Sequence, residues 1–447
     1  MRRRDMLRLA ATSAGTLTLL ETASCAAAKK SALANIQVDW ETSHGQTTPF
    51  LFGSNDYEIT IPERATDRGF HKRLEELNIR LIRVHHAELC DRWTNPITKT
   101  WDETKIKTGY SALYPKQPTI IQNISGWTKW MGQNKDGLLD VSECDRYAAF
   151  CANLVKIITQ RQGLQQVVYW EPFNEKDMAY QKAGKLDELW RIYNKAAMAM
   201  KAANPQIKVG GPALTWGDTR KLASFLRTCR ANVDFISWHG YATGNPSEST
   251  ELLMSKTPNY ANQVREFRKV AKQYIPNRKV PLLLGEYNIN YTWNSGETRQ
   301  NTHIGAVWFA SVLKHLADAG VDMATSWHLK DGIYGMIDPQ NNLRPAAMVF
   351  AWGVRYLTGW LMYAQSDRAS VEVMAVKQGD GRRSLLLINK SHEVTQVRVS
   401  SNQQNTASRI LVDYLDSHGV RAETLVPELL KRKSLVLRPY SLALLRF

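Results

Sequence analysis

The chain has 447 residues, 43% hydrophobic and 22% charged, a balance that fits a folded protein with a large core and excludes a disordered or collagen-like one. Its formal charge of +16 comes without a long Lys/Arg block or a nucleic-acid motif, so no nucleic-acid partner is expected. The charge suits an acidic polysaccharide, an anionic surface, or a solvated basic exterior with no specific partner.

Residues 1–28 read as an export signal. Arg2-Arg3-Arg4-Asp5-Met6-Leu7-Arg8 precedes a short apolar run from Leu9 to Leu20, and Arg3-Arg4-x-Met6-Leu7 resembles a twin-arginine signal. Thr22-Ala23-Ser24-Cys25 resembles a bacterial lipoprotein box with Cys25 as the lipidated residue; cleavage within Ala26-Ala27-Ala28 is the alternative. The expected location is therefore periplasmic, extracellular or lipid-anchored at a bacterial envelope, with a membrane reached only through Cys25. Cys90, Cys144, Cys151 and Cys229 match no zinc spacing and read as free thiols or at most one disulfide.

Segment 29–45 contains a strand, 34–42, that stands outside the main pattern. From 46 to 360 short apolar strands alternate with amphipathic helices: strands at 48–54, 79–85, 119–124, 167–173, 207–210, 233–238, 280–285 and 322–328, helices at 65–77, 142–161, 187–203, 218–230, 259–274, 301–319 and 344–358. Residues 90–118 form a long loop. Eight strands in this rhythm predict an α/β fold, a (β/α)8 TIM barrel with its site at the C-terminal strand ends. Residues 361–447 alternate without helices, with strands at 371–376, 384–388, 396–399, 409–414, 434–437 and 441–447. They predict a C-terminal β-sandwich completed by the strand of 29–45.

The stretch 167–177, Val-Val-Tyr-Trp-Glu-Pro-Phe-Asn-Glu-Lys-Asp, is an apolar strand ending in Asn174-Glu175; the stretch 280–290 has the same design and ends in Glu286. A carboxylate closing a buried strand is costly unless it has partners or a task. Strands four and seven lie on opposite sides of a barrel, so Glu175 and Glu286 can straddle a sugar. Two carboxyls, one protonated and one ionised, are what cleavage of a glycosidic bond uses. Asn55, Arg83, His85, Trp127, His239, Tyr241 and Trp327 fall at or just beyond strand ends on the same face. Trp127, Trp130, Trp216, Trp293 and Trp327 can each stack on a sugar or pack in the core. His85-His86 and His239 belong to no metal-ligand set, Gly210-Gly211 is no phosphate loop, and no nucleophile-elbow serine is present; neither cofactor nor metal is expected.

Arg83-Val84-His85, Phe173-Asn174-Glu175, His239-Gly240-Tyr241 and Gly285-Glu286-Tyr287, in this order along a barrel, resemble the clan A glycoside hydrolases. Among these the chain is similar to family 39, which includes β-xylosidases, α-L-iduronidases and bacterial exopolysaccharide hydrolases. The resemblance implies Glu175 as general acid/base, Glu286 as nucleophile, Asn174 on a sugar 2-hydroxyl, Tyr241 orienting Glu286, His239 beside the acid/base and Arg83 holding Glu286 ionised. It also implies a retaining reaction with the carboxyls roughly 5 Å apart. Where the family has Trp-Asn-Glu-Pro, this chain has Phe173-Asn174-Glu175-Lys176; Lys176 is expected to point outward, since turned inward it would oppose a protonated Glu175. A non-hydrolytic carbohydrate-binding protein and a transglycosylase remain the alternative readings.

Overall fold

The computed structural model of the chain describes residues 32–113, 117–403, 408–426 and 434–447. Residues 1–28, where the export signal is expected, and Cys25 with them, lie outside the described residues.

A closed ring of parallel strands forms the centre. In chain order these are Gly53–Asp56, Leu81–Val84, Thr119–Asn123, Val167–Glu171, Lys208–Val209 with Gly211–Leu214, Ile236–Thr243, Leu282–Asn290 and Met323–Ser326. The last strand pairs with the first through Thr325 and Ser326 against Gly53 and Ser54. The fifth strand is broken at Gly210. Its first piece pairs with Val167–Glu171 and its second with Ile236–Thr243. A Cβ on Gly210 would come within 2.4 Å of the Phe235 ring and carbonyl, so the closure requires glycine there. This is the packing role of the Gly210-Gly211 pair.

Each strand alternates in and out, and the inward positions stack in tiers. Leu81, Ile121, Phe235, Leu283 and Met323 fill the base of the barrel as an apolar cluster. Two residues further along the same strands come Arg83, Asn123, Ser237 and Gly285, and the bore turns polar. Helices surround the ring, among them Arg68–Leu77, Leu186–Ala203, Thr219–Cys229, Asn259–Tyr274, His303–Asp318 and Pro345–Tyr356.

Several expected elements differ. The strand expected at 48–54 starts as a 3-10 turn, Pro49–Phe52, capped by Thr48, because Pro49 has no N–H for a ladder; extended pairing begins at Gly53. The helix expected at 142–161 runs Cys144–Val155 and continues as a π-turn over Lys156–Arg161. The long loop 90–118 holds a small hairpin and a helix, Glu103–Ser111, capped by Asp102. Cys90, Cys144, Cys151 and Cys229 are all free and buried.

Among the described residues the second sheet has nine strands. Ala32–Thr47 pairs antiparallel with Gly359–Ser366 and parallel with Thr395–Ser401, so the N-terminal segment is a central strand of the sandwich. Gly359–Ser366 and Gly419–Leu425 are strands that sequence reading missed; the latter is an exposed edge with no alternation to mark it. One face of the sheet closes over its own core of Ile36, Val38, Val373, Leu387, Val397 and Leu445. Leu361, Met374, Leu386, Leu442 and Leu444 pack into the same cluster as the barrel helices.

A polar joint sits in that contact. Glu372 of the sandwich accepts from Ser311 (2.6 Å), lies 2.8 Å from His315 Nε2, and pairs with Lys390 at 2.5 Å. Burial works against the charge of Glu372, but His315 and Lys390 outweigh it and hold the carboxyl down to about 2, against an ordinary 4.5. That depression stands for about 3 kcal/mol of stability, fully present above the unfolded value and lost as pH falls toward the folded one. Glu372→Gln is therefore expected to lower unfolding free energy by about 2–3 kcal/mol at pH 7. In urea titrations its deficit against the parent should narrow as pH drops below about 4.5. A deficit that stays constant with pH would refute the assignment.

Candidate active site

Arg83 is the centre of the polar tier and is fully buried. Its Nε donates to Glu171 Oε2 (2.7 Å), Nη1 to Asn55 Oδ1 (3.0 Å) and Glu286 Oε1 (2.9 Å), and Nη2 to Asn174 Oδ1 (2.6 Å). Glu171 also accepts from Asn123 Nδ2 (2.9 Å) and Ser237 Oγ (2.5 Å). Burial raises the pKa of Glu171, but Arg83, Ser237 and Asn123 together hold it below the usual carboxylate range. Arg83 and Glu171 are thus a fixed pair of opposite charges under the site.

Glu286 stands above them on Leu282–Asn290. Its Oε1 takes the Arg83 bond and its Oε2 accepts from the Tyr241 hydroxyl at 2.9 Å. Burial and the neighbouring Glu175 push its pKa up; His239, Arg83 and Tyr241 pull it down, and the net direction is upward. Glu175 follows the strand Val167–Glu171 in a left-handed conformation, φ 49°, with its N–H bonded to Ala213 O at 3.1 Å. Few side chains adopt that geometry without external support, and such residues gather at functional sites.

His239 joins the two. Its Nδ1 lies 2.6 Å from Glu175 Oε1 and its Nε2 lies 3.7 Å from Glu286 Oε1. Burial disfavours an imidazolium, but Glu286 and Glu175 overcome this and raise His239 above the usual imidazole range. Gly285 makes the approach possible, since a Cβ there would press to 3.3 Å from the imidazole ring. One donor atom from each of Glu175, His239 and Glu286 lies within 4.8 Å of the others. Such a trio has the spacing of a cation site, but Arg83 and His239 already supply positive charge to these carboxylates.

The cavity above holds about 420 Å³. Its floor is Asn174, Glu175, Glu286, His85 and Ser125. Because Asn174 Oδ1 faces the guanidinium, its amide Nδ2 is left as a donor toward the cavity. His85 is held below the usual imidazole range by burial and by Arg83, and is neutral. Its Nδ1 donates to Asn123 Oδ1 at 3.1 Å, which leaves Nε2 as an acceptor. Aromatic walls rise on two sides. Trp216, Tyr241 and Tyr291 meet edge to face; opposite them Tyr57 packs on Trp293 and Trp327, and Trp293 on Tyr334.

Most residues picked from the sequence converge here. Asn174, Glu175, His85, Tyr241, Glu286, Trp216, Trp293 and Trp327 line the cavity, while Arg83 and His239 lie just beneath. Asn55 does not reach it: its Oδ1 serves Arg83 and its Nδ2 is spent on the Gly285, Thr325 and Ser326 carbonyls. Trp127 and Trp130 are packing residues, Trp127 edge-on to Tyr147 and Tyr180, Trp130 edge-on to Phe150. Lys176, expected to point outward, instead lines the cavity over the Trp127 face, its Nζ 5.1 Å from the ring centroid. Glu171, Tyr57, Tyr291, Tyr334, Thr215 and Ser125 were missed. Glu171 had a signal, a carboxylate inside the apolar run itself; the tyrosines sit on loops with no pattern to mark them.

Residues 134–340 match the sequence model of glycosyl hydrolases family 39. Residues 368–445 match the model for the C-terminal immunoglobulin-like domain of D-apionate lactonase. A β-xylosidase of Geobacillus stearothermophilus is 28% identical over 190 residues, which is 40% of this chain and 37% of that enzyme. The chain thus spans well under half the length of that curated relative. The crystal structure of a monomeric β-xylosidase from Caulobacter crescentus CB15 superimposes with a TM-score of 0.67 at 17% identity, covering 92% of this chain and 99% of that one. A GH51 α-L-arabinofuranosidase from Thermotoga petrophila RKU-1 gives 0.71 at 14% identity, with 93% and 100% covered. These structures share the fold, a TIM barrel with a β-sandwich. The resemblance to family 39 read from the motifs is borne out, and the matched segment carries Glu175, His239, Tyr241 and Glu286.

The charge arrangement is testable without a substrate. In Glu286→Gln, one of the two anions that raise His239 is gone, so its proton is held less tightly. The His239 titration in histidine-selective 15N NMR should move to lower pH by about one unit or more. An unmoved midpoint would mean that the two groups are not coupled.

Proposed function

We propose that this family 39-like chain is a retaining glycoside hydrolase acting on an oligosaccharide or polysaccharide. One observation carries the reading: an oxygen of Glu175, in the loop after one strand, and an oxygen of Glu286, on another strand, lie within 4.8 Å of each other, each with its own set of partners. A separation of about 5 Å suits direct attack by one carboxylate, whereas a pair that must admit a water between them stands about 6.5 Å apart or more. Glu286, fixed by Arg83 and Tyr241, attacks the anomeric carbon as Glu175 gives its proton to the departing oxygen. The sugar is then an ester of Glu286. Glu175, now ionised, takes a proton from water, which displaces Glu286 and restores both groups. Asn174 Nδ2 and the neutral His85 are placed to bond sugar hydroxyls, and the aromatic walls suit the C–H faces of the ring.

The substrate reading extends to an acidic polysaccharide, exopolysaccharides among them, supported by the +16 charge. Neutral β-xylosides are the comparison class, because the aligned Geobacillus stearothermophilus relative is a β-xylosidase. Export, with a lipid on Cys25, belongs to the same proposal and rests on the N-terminal sequence.

Hydrolysis of aryl glycosides and polysaccharides tests the roles. Glu286→Ala should reduce turnover to background. Glu175→Gln should lose about 100- to 10,000-fold on substrates with poor leaving groups and much less on activated aryl glycosides. Full activity in both variants would remove this pair from the mechanism. Tyr241→Phe takes a donor from ionised Glu286, so the acid limb of its kcat/KM profile should shift to higher pH; a shift to lower pH would contradict the nucleophile assignment.

A further inference from the structure

Lys176 lines the cleft and takes no part in the reaction above. Its side chain runs between Gly126 and Trp127 into the cavity wall beside Glu175 and Ser125. Gly126, at φ 141°, leaves it room: a Cβ there would lie 2.5 Å from Lys176 Cε and 3.0 Å from Nζ. The seat is therefore built, with a glycine on one side and an indole face on the other.

What the seat lacks is an anion. Lys221 pairs with Asp177 at 2.6 Å, Lys330 with Asp67 at 2.7 Å and Lys390 with Glu372 at 2.5 Å. Among the described residues no carboxylate lies within ion-pair distance of Lys176 Nζ; the ammonium lies over the Trp127 ring beside Gly126, with Cys90 and Glu175 favouring its charge from further off. Glu175 favours the Lys176 charge through space, but its Oε1 is engaged by His239 Nδ1 at 2.6 Å and makes no ion pair with the ammonium. Burial lowers the Lys176 pKa, the sign of an ammonium short of solvation. A partly buried cation in a ligand cavity is stabilised when the ligand brings the opposite charge.

We propose that Lys176 is the specificity-determining cation of the cleft, taking the carboxylate of a uronic acid unit on the leaving-group side of the scissile bond. The side follows from Glu175: the proton donor stands at the departing oxygen, and Lys176 is its neighbour on the same wall. The assignment rests on the hydrolase reading for its side of the cleft, but its core, recognition of a sugar carboxylate, is tested by binding alone.

The probes are oligosaccharides containing glucuronate, mannuronate or galacturonate, each beside a twin whose carboxylates have been reduced to hydroxymethyl groups. Affinities are measured by calorimetry on the Glu286→Gln protein, which holds ligand without turnover. At least one acidic probe should bind about tenfold or more tightly than its twin, with a preference that weakens as salt rises. Adding Lys176→Met should bring the acidic probe to the affinity of its twin, and adding Lys176→Arg should keep the preference. No binding of any acidic probe, equal affinity for both twins, or a preference that survives Lys176→Met overturns the proposal. The aryl glycoside assay on the otherwise unaltered protein reports separately. Cleavage there without an acidic preference sinks the Lys176 assignment alone. Acidic preference without any cleavage sinks the hydrolase reading and leaves Lys176 as the anion site of a binding protein.

Discussion

A guanidinium with no access to water must have every charge and most of its N–H groups answered by protein, and the upper barrel is arranged around that requirement. Arg83 meets it with Glu171, Glu286, Asn55 and Asn174. Buried ion pairs contribute little net stability, because desolvation of both partners offsets their attraction, although removing one partner costs about 3–5 kcal/mol. The consequence is positional. Asn55 ties Arg83 to the carbonyls of Gly285, Thr325 and Ser326, so the seventh and eighth strands are in register with the second. Asn174 is forced to present its amide nitrogen upward. Glu286 is held from two sides, by Arg83 and Tyr241.

The same constraint sorts the charges. Glu171 lies wholly inside the bore and is held ionised, so it answers the Arg83 charge permanently. Glu286, His239 and Glu175 then form a separate set that can gain or lose one proton without leaving Arg83 unpaired. The titrations of Glu286 and His239 are linked to each other. A site that moves a proton in each half of a reaction needs such a reservoir, and it needs the fixed charge beneath it not to take part.

The sequence displayed the parts of this design that follow strand periodicity. Arg83 and His85 are two apart and both face inward, as are Ser237, His239 and Tyr241; Glu175 and Glu286 end apolar runs. Parts that depend on a local reversal were hidden. Lys176 turns inward because Glu175 before it is left-handed, and no residue type at 175 announces that. Glu171 sits between Trp170 and Pro172 inside the apolar run, and its role shows only once Arg83 is found beside it, as the partner that Arg83 requires. Trp127 was chosen for its position after a strand, but the preceding Gly126 gives its place at the cavity to Lys176. In the sandwich, Gly359–Ser366 exposes Trp360 and Tyr363, so hydrophobic alternation did not mark the strand. The walls of the cleft come from Tyr57, Tyr291 and Tyr334 on loops, where spacing carries no direction.

The attached sandwich matters to the site through one helix. A bulge at Gly285, opposite Trp238 and His239, breaks the alternation and turns Glu286 into the bore, so the next residue, Tyr287, faces out, where it packs on Trp308 and Phe309 of His303–Asp318. That helix turns Ser311 and His315 the other way, onto Glu372 of the sandwich. The strand carrying Glu286 is thus clamped between a guanidinium inside the barrel and a helix pinned from outside. A carboxylate offset by a fraction of an ångström would lose its bond to Tyr241 or to Arg83, and proximity effects in catalysis are sensitive to displacements of about 1 Å. The sandwich therefore reaches the strand of Glu286 through this helix, and the segments that flank the barrel, Ala32–Thr47 before it and Gly359–Ser366 after it, pair with each other in the sheet that holds Glu372.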